Sequence, residues 1–198
     1  MKGIRKSKIA KIAKECISDE SFLATPHFLS LSCGDSPEKD PILKQVMPTP
    51  DENIDDNRFV EDPLCEERFS PLPKLIRRYH DRALILCTNR CFIHCRFCFR
   101  KRFWISESAD WNITKGEFAK IAEYISSESA IREVILSGGD PLCLNDKEFF
   151  YMIGNLDRIR NVDVIRIASR ALSAKPDMIN AKFVRNLTKL SRKIWFMS

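Results

Sequence analysis

Three cysteines in the middle of the chain could bind a metal centre. They are Cys91, Cys95 and Cys98, and their spacing is C-x3-C-x2-C. Thiolates are soft ligands that hold iron–sulfur clusters, and three of them leave one iron of a cubane cluster without a protein ligand. An open position of this kind separates catalytic metal sites from structural ones. The spacing therefore predicts a [4Fe–4S] cluster whose free iron can hold a small molecule.

A fourth cysteine, Cys87, leaves an alternative open, because four cysteines then fall within twelve residues. A zinc site or a cluster with four cysteine ligands is the competing interpretation. Zinc sites more often show two C-x2-C pairs or paired histidines, and the second pair is missing here. Cys87 ends the apolar run 83–86, which favours a buried position on a strand. We interpret His94 as a loop residue without a role.

The composition indicates one ordinary globular domain. The chain has 198 residues, of which 44% are hydrophobic, and this is enough to bury a core. It has no apolar run of membrane-spanning length and no signal-peptide core, so we expect a soluble, cytoplasmic protein without a membrane partner. Eight cysteines without a secretory signal favour reduced thiols or metal ligation over disulfides.

The net charge of +6 is concentrated in two places, one at the N-terminus and one at 96–102 beside the cysteines. The N-terminal run could form a basic amphipathic helix that contacts nucleic acid, a membrane or an import receptor, or only a solvated helix face, and the sequence does not decide its role. This run consists of Lys2, Arg5, Lys6, Lys8, Lys11 and Lys14.

The order of apolar patterns predicts an α/β fold. Residues 1–60 lack a strand–helix rhythm, so we interpret them as an N-terminal helical capping region and linker, and 61–198 as part of a barrel. Strands are predicted at 82–88, 133–137, 162–169 and 193–197, and helices after Thr114, after Asn145 and over 176–190. This alternation indicates a parallel sheet whose carboxyl ends gather the ligands at one mouth, as in a partial (βα) barrel.

The chain resembles the lysine 2,3-aminomutases of the radical S-adenosylmethionine (radical SAM) family. The match runs from about residue 20 to 198. The sequence Cys-Phe-Arg at 98–100 is most similar to the branch of the family that makes (R)-β-lysine for elongation factor P. Six stretches carry it: Asp40-Pro-Ile-Leu-Lys-Gln-Val46, Asp62-Pro-Leu-Cys-Glu66, Tyr79-His-Asp-Arg82-Ala-Leu84, Cys95-Arg-Phe-Cys-Phe-Arg100, Ser137-Gly-Gly-Asp-Pro-Leu142 and Arg166-Ile-Ala-Ser-Arg170.

The resemblance implies an isomerase that moves the α-amino group of L-lysine to the β-carbon. It implies a [4Fe–4S] cluster, S-adenosylmethionine and pyridoxal 5′-phosphate as cofactors, because the cofactors supply the radical and carbonyl chemistry. The implied partners are L-lysine, an electron donor such as flavodoxin or ferredoxin, and a functional link to elongation factor P. Nucleic acid is not among them.

The resemblance also implies roles for individual residues, with Cys91, Cys95 and Cys98 as the cluster ligands. Arg100 matches the arginine that binds the lysine carboxylate, a task suited to a guanidinium group. For each basic residue a surface salt bridge is the alternative, and Asp140 either adds charge or only caps its turn. The expected S-adenosylmethionine contacts are Phe97, Ser137, Gly138, Gly139 and Asp140, and the expected pyridoxal phosphate contacts are Arg78, Tyr79 and Arg82. We expect Arg166 and Arg170 near the mouth, without assigning a partner.

The chain departs from the family in length. Family members continue into further barrel strands, the lysine that binds pyridoxal phosphate and the carboxylates that bind the ε-amine, and no lysine here lies in a matching motif. We therefore expect a truncated barrel of about four strands, inactive alone, whose last strand leaves an edge open to association. Two alternatives remain, another radical SAM enzyme such as an RNA-modifying methyltransferase, or a non-catalytic metal-binding remnant.

Overall fold

The computed structural model describes residues 22–33, 39–49, 52, 60–105 and 109–198. The basic N-terminal run lies outside the described residues, and so does much of the predicted linker. In the part that is described, no helix is both long enough and apolar enough to cross a membrane.

A five-stranded sheet forms the centre of the molecule, in the order β1-β2-β3-β4-β5. The first pair is antiparallel and every later pair is parallel. This confirms the predicted α/β class with a parallel sheet. The strands are β1 (Leu75–Tyr79), β2 (Arg82–Thr88), β3 (Glu133–Gly138), β4 (Val164–Ala168) and β5 (Lys193–Met197).

Helices connect the parallel strands and also precede the sheet. They are α1 (Pro26–Ser30), α2 (Arg102–Ile105), α3 (Lys115–Ser127), α4 (Asp146–Asp157), α5 (Ala171–Ala174) and α6 (Ala181–Leu187). Single 3₁₀ turns lie at Leu43–Gln45, Glu67–Phe69, Pro141–Cys143 and Pro176–Met178.

The two longest helices begin where the sequence predicts. The Thr114 hydroxyl accepts a hydrogen bond from the Glu117 amide, and the Glu117 carboxylate accepts one from the Thr114 amide, which is a complete capping box. Asn145 caps α4 with a single bond of this kind, because its side-chain oxygen accepts from the Glu148 amide at 2.9 Å. These caps satisfy amides that the first helical turn leaves without a carbonyl partner.

The main core lies between one face of the sheet and helices α3 and α4. On β4 the alternation is clear, since Ile165 and Ile167 are fully buried while Arg166 between them belongs to the other face. Each large apolar side chain buried this way contributes about 1.5 to 3 kcal/mol. From the helices the core receives Phe118, Ile121, Ile125, Phe149, Met152, Ile153 and Leu156.

A second, smaller core joins the N-terminal segment to the cysteine loop. Phe28, Leu43 and Val46 pack with Ile93, which lies between two of the three cysteines, and with Ala174 of α5. All five side chains are nearly or fully buried. The described part of the predicted capping region therefore shares a core with the sheet region, while the domain boundary near residue 60 stays a prediction.

Two elements differ from the sequence prediction. Strand β1 was not predicted, and it pairs antiparallel with β2 through the short turn at His80 and Asp81. The predicted helix at 176–190 is instead a 3₁₀ turn followed by α6. The helix is interrupted between them because the backbone of Asn180 is extended. The Asn180 side chain accepts a hydrogen bond from the Phe183 amide and so caps α6 as a separate helix.

Candidate cluster and cofactor site

The Gly-Gly turn after β3 packs against the backbone that leads into the cysteine loop. The Gly139 amide donates to the Thr88 carbonyl at 2.6 Å, and the Asp140 amide donates to the Arg90 carbonyl at 2.7 Å. A Cβ on Gly139 would collide with the Arg90 carbonyl oxygen, and Gly138 has a φ of +112°. Only glycine fits this close approach, so these two residues bring the ends of β2 and β3 together.

The cysteine loop is also fixed from its outer side by the N-terminal segment. The His94 amide donates to the Leu23 carbonyl, and the Arg96 amide donates to the Gln45 carbonyl, each at 2.8 Å. Backbone groups that lack regular secondary structure need such partners when they are withdrawn from water. Sequence reasoning missed this role of the N-terminal segment, because no periodic pattern connects it with the cysteines.

A cavity of about 210 Å³ opens where the cysteine loop meets the carboxyl ends of the parallel strands. It brings together most of the residues predicted for the cluster and S-adenosylmethionine. Phe97 is not among the lining residues, and 65% of its surface is exposed. The lining includes Cys91, Cys95, Cys98, Ser137, Gly138, Gly139, Asp140, Arg100 and Arg170. These assignments remain predictions, now with a common location.

The three cysteines share one cavity, where their thiols can serve as cluster ligands. Among the described residues no group of three histidine, cysteine or acidic side chains is arranged to hold a single metal ion. A cubane cluster binds each cysteine through a different iron atom, whereas a zinc ion binds all of its ligands at one point. Burial raises the pKa of the Cys91 and Cys95 thiols, so metal binding there must release protons.

Cys87 occupies the position predicted for it in the core. Its side chain is fully buried on β2 within the main core. Burial raises the pKa of its thiol to about 12, and the sulfur lies 3.6 Å from the Ile85 carbonyl oxygen. Cys87 is not part of the cavity lining.

Asp140 caps its own turn and links two strands. Its carboxylate accepts hydrogen bonds from the Leu142 amide at 3.0 Å, the Ser169 hydroxyl at 3.0 Å and the Arg170 amide at 2.8 Å. Burial raises the pKa of this carboxyl group, against the lowering effect of those hydrogen bonds. Of the two roles considered for Asp140, the geometry favours the cap.

The two arginines of β4 and its following loop have different surroundings. Arg170 lines the cavity, and its Nη2 donates to the Gln45 side chain at 2.8 Å. Arg166 instead pairs with Glu133 at 2.7 Å, and Glu133 is the first residue of β3, at the end of the sheet opposite the mouth. Arg166 also contacts Met197, which lines the cavity, at 4.0 Å. Arg170 therefore lies at the mouth, and the ion pair of Arg166 is directed toward the opposite end of the sheet.

Arg100 is buried and fully oriented by its neighbours. Its Nε and Nη2 donate to the Glu66 carboxylate at 3.0 and 2.6 Å, and its Nη1 donates to the Ser137 hydroxyl at 3.1 Å. Both Arg100 and Glu66 are less than 10% exposed. Glu66 lies in one of the stretches that carry the family resemblance, but sequence reasoning gave it no role.

A second cavity, of about 250 Å³, lies on the other side of Arg100. Arg78, Tyr79 and Arg82, the predicted pyridoxal phosphate contacts, are among its lining residues, together with Glu66 and Arg100. Arg100 therefore belongs to the walls of both cavities.

Fold and site together define an α/β protein with a candidate three-cysteine cluster centre at the carboxyl edge of its parallel strands. Residues 85–191 match the model of the Radical SAM superfamily. The match spans more than half of the chain, so the chain belongs to the radical SAM superfamily, whose cofactors are a [4Fe–4S] cluster and S-adenosylmethionine.

Curated relatives make the likeness more specific. The chain is 36% identical over 181 residues to the L-lysine 2,3-aminomutase of Clostridium subterminale, a match that covers 91% of this chain and 42% of that protein. It is 39% identical over 171 residues to the enzyme of that name from Methanococcus maripaludis, covering 86% and 39%. For the one from Escherichia coli the identity is 34% over 155 residues, covering 78% and 44%. The chain thus spans about two fifths of the length of these relatives.

Proposed function

We propose that this chain acts in a lysine 2,3-aminomutase reaction, the radical isomerisation of L-lysine to β-lysine. The observation that carries the proposal is the position of Arg100, between a cavity lined by the three cysteines and a cavity lined by Arg78, Tyr79 and Arg82. A buried guanidinium at this point can bind the carboxylate of an amino acid whose reacting carbons lie near both cavities.

In this proposal the chain's own residues bind, orient and exclude water. Cys91, Cys95 and Cys98 hold three irons, and the Gly-Gly turn lets the backbone approach a small ligand closely. Arg78, whose Nη1 donates to the Leu64 carbonyl, supplies positive charge to the second cavity, which suits a phosphate group. Arg82 lines the same cavity but is paired with Asp81 at 3.3 Å and with Glu133 at 3.8 Å. The bound cluster and S-adenosylmethionine supply a carbon radical for hydrogen abstraction, and pyridoxal phosphate supplies the carbonyl that binds the α-amine.

The finer parts of the proposal concern the product and the partners. We propose (R)-β-lysine as the product, elongation factor P as its destination, and a flavodoxin or ferredoxin as the electron donor. Support for this branch of the family comes from the Cys-Phe-Arg sequence at 98–100. The names of the relatives support only the lysine 2,3-aminomutase reaction itself. A cytoplasmic location agrees with a cluster that needs a reducing compartment.

The basic run 96–102 gives little support to the RNA-modifying alternative, because its charges are paired within the chain. Glu52 accepts hydrogen bonds from Arg96 and Lys101, at 2.7 and 2.8 Å at the closest atoms. Arg102 shares the Glu66 carboxylate with Arg100. Charges neutralised in this way release few counterions on binding a phosphate backbone.

The proposal is tested by anaerobic reconstitution with iron and sulfide, followed by iron analysis and by reductive cleavage of S-adenosylmethionine with and without L-lysine. We expect about four irons per chain in the natural sequence. Cys95→Ala should lose the cluster, because each of three ligands is needed. The matched control, Cys87→Ala, should keep both the iron and a cleavage rate that L-lysine increases.

Three results would contradict the proposal. Zinc in place of iron would favour the metal-binding remnant. Loss of the cluster in Cys87→Ala would favour four cysteine ligands. Cleavage that responds to RNA and not to L-lysine would favour the methyltransferase alternative.

A further inference from the structure

We propose that Glu66 is a positioning residue that turns Arg100 so that two of its N–H groups remain available for a substrate carboxylate. This inference rests on the proposed function, since it concerns how the substrate's carboxylate is recognised. Glu66 would act through Arg100 and would not itself contact the substrate.

The pairing of Glu66 with Arg100 uses one particular edge of the guanidinium. The carboxylate lies along the Nε–Nη2 side, with its closest contacts at 3.0 Å to Nε and 2.6 Å to Nη2. Two parallel hydrogen bonds of this kind fix the plane of the group, whereas one bond would let it rotate. The Ser137 hydroxyl accepts a third bond from Nη1 at 3.1 Å.

In the part of the chain that the structure describes, two N–H groups of Arg100 remain free for a ligand. A guanidinium has five N–H groups, and Glu66 and Ser137 together accept from three of them. Within the described ranges the remaining two, one on Nη1 and one on Nη2, have no acceptor. A substrate carboxylate that accepts from these two N–H groups would therefore complete the bonding of Arg100 without displacing Glu66.

Glu66 is itself held in place, which makes it suitable for positioning. Its Oε2 also accepts from Arg102 at 3.2 Å. Glu66 immediately precedes the 3₁₀ turn Glu67–Phe69, and the Glu67 amide that begins this turn donates to Asp62 at 3.2 Å. The Glu66 carboxylate is thus fixed by two arginines and by its own backbone turn.

The test compares the affinity of the reconstituted chain, supplied with pyridoxal phosphate, for L-lysine and for L-lysinamide, which lacks the carboxylate. Calorimetry should show that the natural sequence prefers L-lysine. In Glu66→Gln the amide offers one acceptor and presents its own N–H groups to the guanidinium. We expect Glu66→Gln to bind L-lysine about tenfold more weakly, which corresponds to the loss of one charge-assisted hydrogen bond. Its affinity for L-lysinamide should not change. The neighbouring Glu67→Gln is the matched control and should keep the full preference.

The outcomes separate this inference from the proposed function. If the natural sequence does not prefer L-lysine, both fail. If it does and Glu66→Gln keeps the preference, the inference alone fails. Tighter binding of L-lysine by Glu66→Gln would show that Glu66 competes with the substrate, which also overturns the inference. Should Glu66→Gln fail to fold, Glu66→Asp keeps the charge but withdraws it by one methylene, and an undiminished preference there would overturn the inference as well.

Discussion

The close contact between Gly139 and the backbone of Arg90 shows how the site depends on single atoms. The segment that enters the cysteine loop and the turn after β3 touch through backbone alone, without a side chain between them. Contacts of this kind cannot adapt by changing rotamers, because no rotamer is involved. The site's geometry is therefore more sensitive to an added methyl group at Gly139 than to most surface substitutions.

We predict that Gly139→Ala destabilises the fold by about 2 kcal/mol or more, because the new Cβ would meet the Arg90 oxygen and backbone must move. The variant should also bind less iron on reconstitution. Thermal unfolding and iron analysis measure the two effects. Gly154→Ala in α4 is the matched control, since a Cβ there meets nothing within 4 Å. It should leave iron binding intact and stabilise the helix by about 0.5 to 1 kcal/mol. A Gly139→Ala variant as stable as the control would refute the prediction.

At the level of elements, the capping box of α3 adds a pH dependence to stability. Burial raises the pKa of Glu117, but hydrogen bonds from Thr114 and Lys74 outweigh it, so the pKa lies below its ordinary value of 4.5. A lowered pKa in the folded state stabilises the protein above the unfolded value, and this stabilisation is lost as the pH falls.

Glu117→Gln should keep the capping hydrogen bond and lose the charge. We expect it to be less stable than the natural sequence by about 0.5 kcal/mol at neutral pH, a small value because Glu117 is partly exposed. The difference should disappear as the pH falls below 4.5. Urea unfolding across this range measures it, with Glu123→Gln on the same helix as the control. A difference that persists at low pH would mean that the charge of Glu117 is not its source.

Elements with strong local signals could be predicted from the sequence, and those that depend on distant partners could not. Strands β2 to β4 alternate buried with less buried side chains, β5 begins by alternating exposed with half-buried ones, and α3 and α4 have caps. Strand β1 is an edge strand with Arg77 and Arg78 in its middle, so its apolar pattern is weak. The predicted helix at 176–190 overlooked the cap at Asn180. Within the site, the cysteine spacing and the Gly-Gly turn gave local signals. The pairing of Glu66 with Arg100 joins residues 34 positions apart and has no local signal.

At the level of the whole molecule, the sheet has an open edge at β5. Among the described residues no strand pairs with its outer side, and Trp195 is 57% exposed. An exposed edge with a large apolar side chain is a site for association. We predict that the chain self-associates as its concentration rises and that Trp195→Lys reduces this, as measured by sedimentation velocity. Leu172→Lys, at an exposed apolar residue away from the edge, should have no such effect. A chain that stays monomeric at all concentrations would contradict the prediction.

Since Arg100 belongs to both cavity walls, a ligand that moves its side chain in one cavity changes the shape of the other. A ligand that displaces this guanidinium from one cavity changes the affinity of the other cavity for its own ligand. Thermodynamic linkage requires that the second ligand change the affinity for the first by the same factor. Cooperativity between the two ligands would thus arise from the side chain they share, without any movement of the sheet.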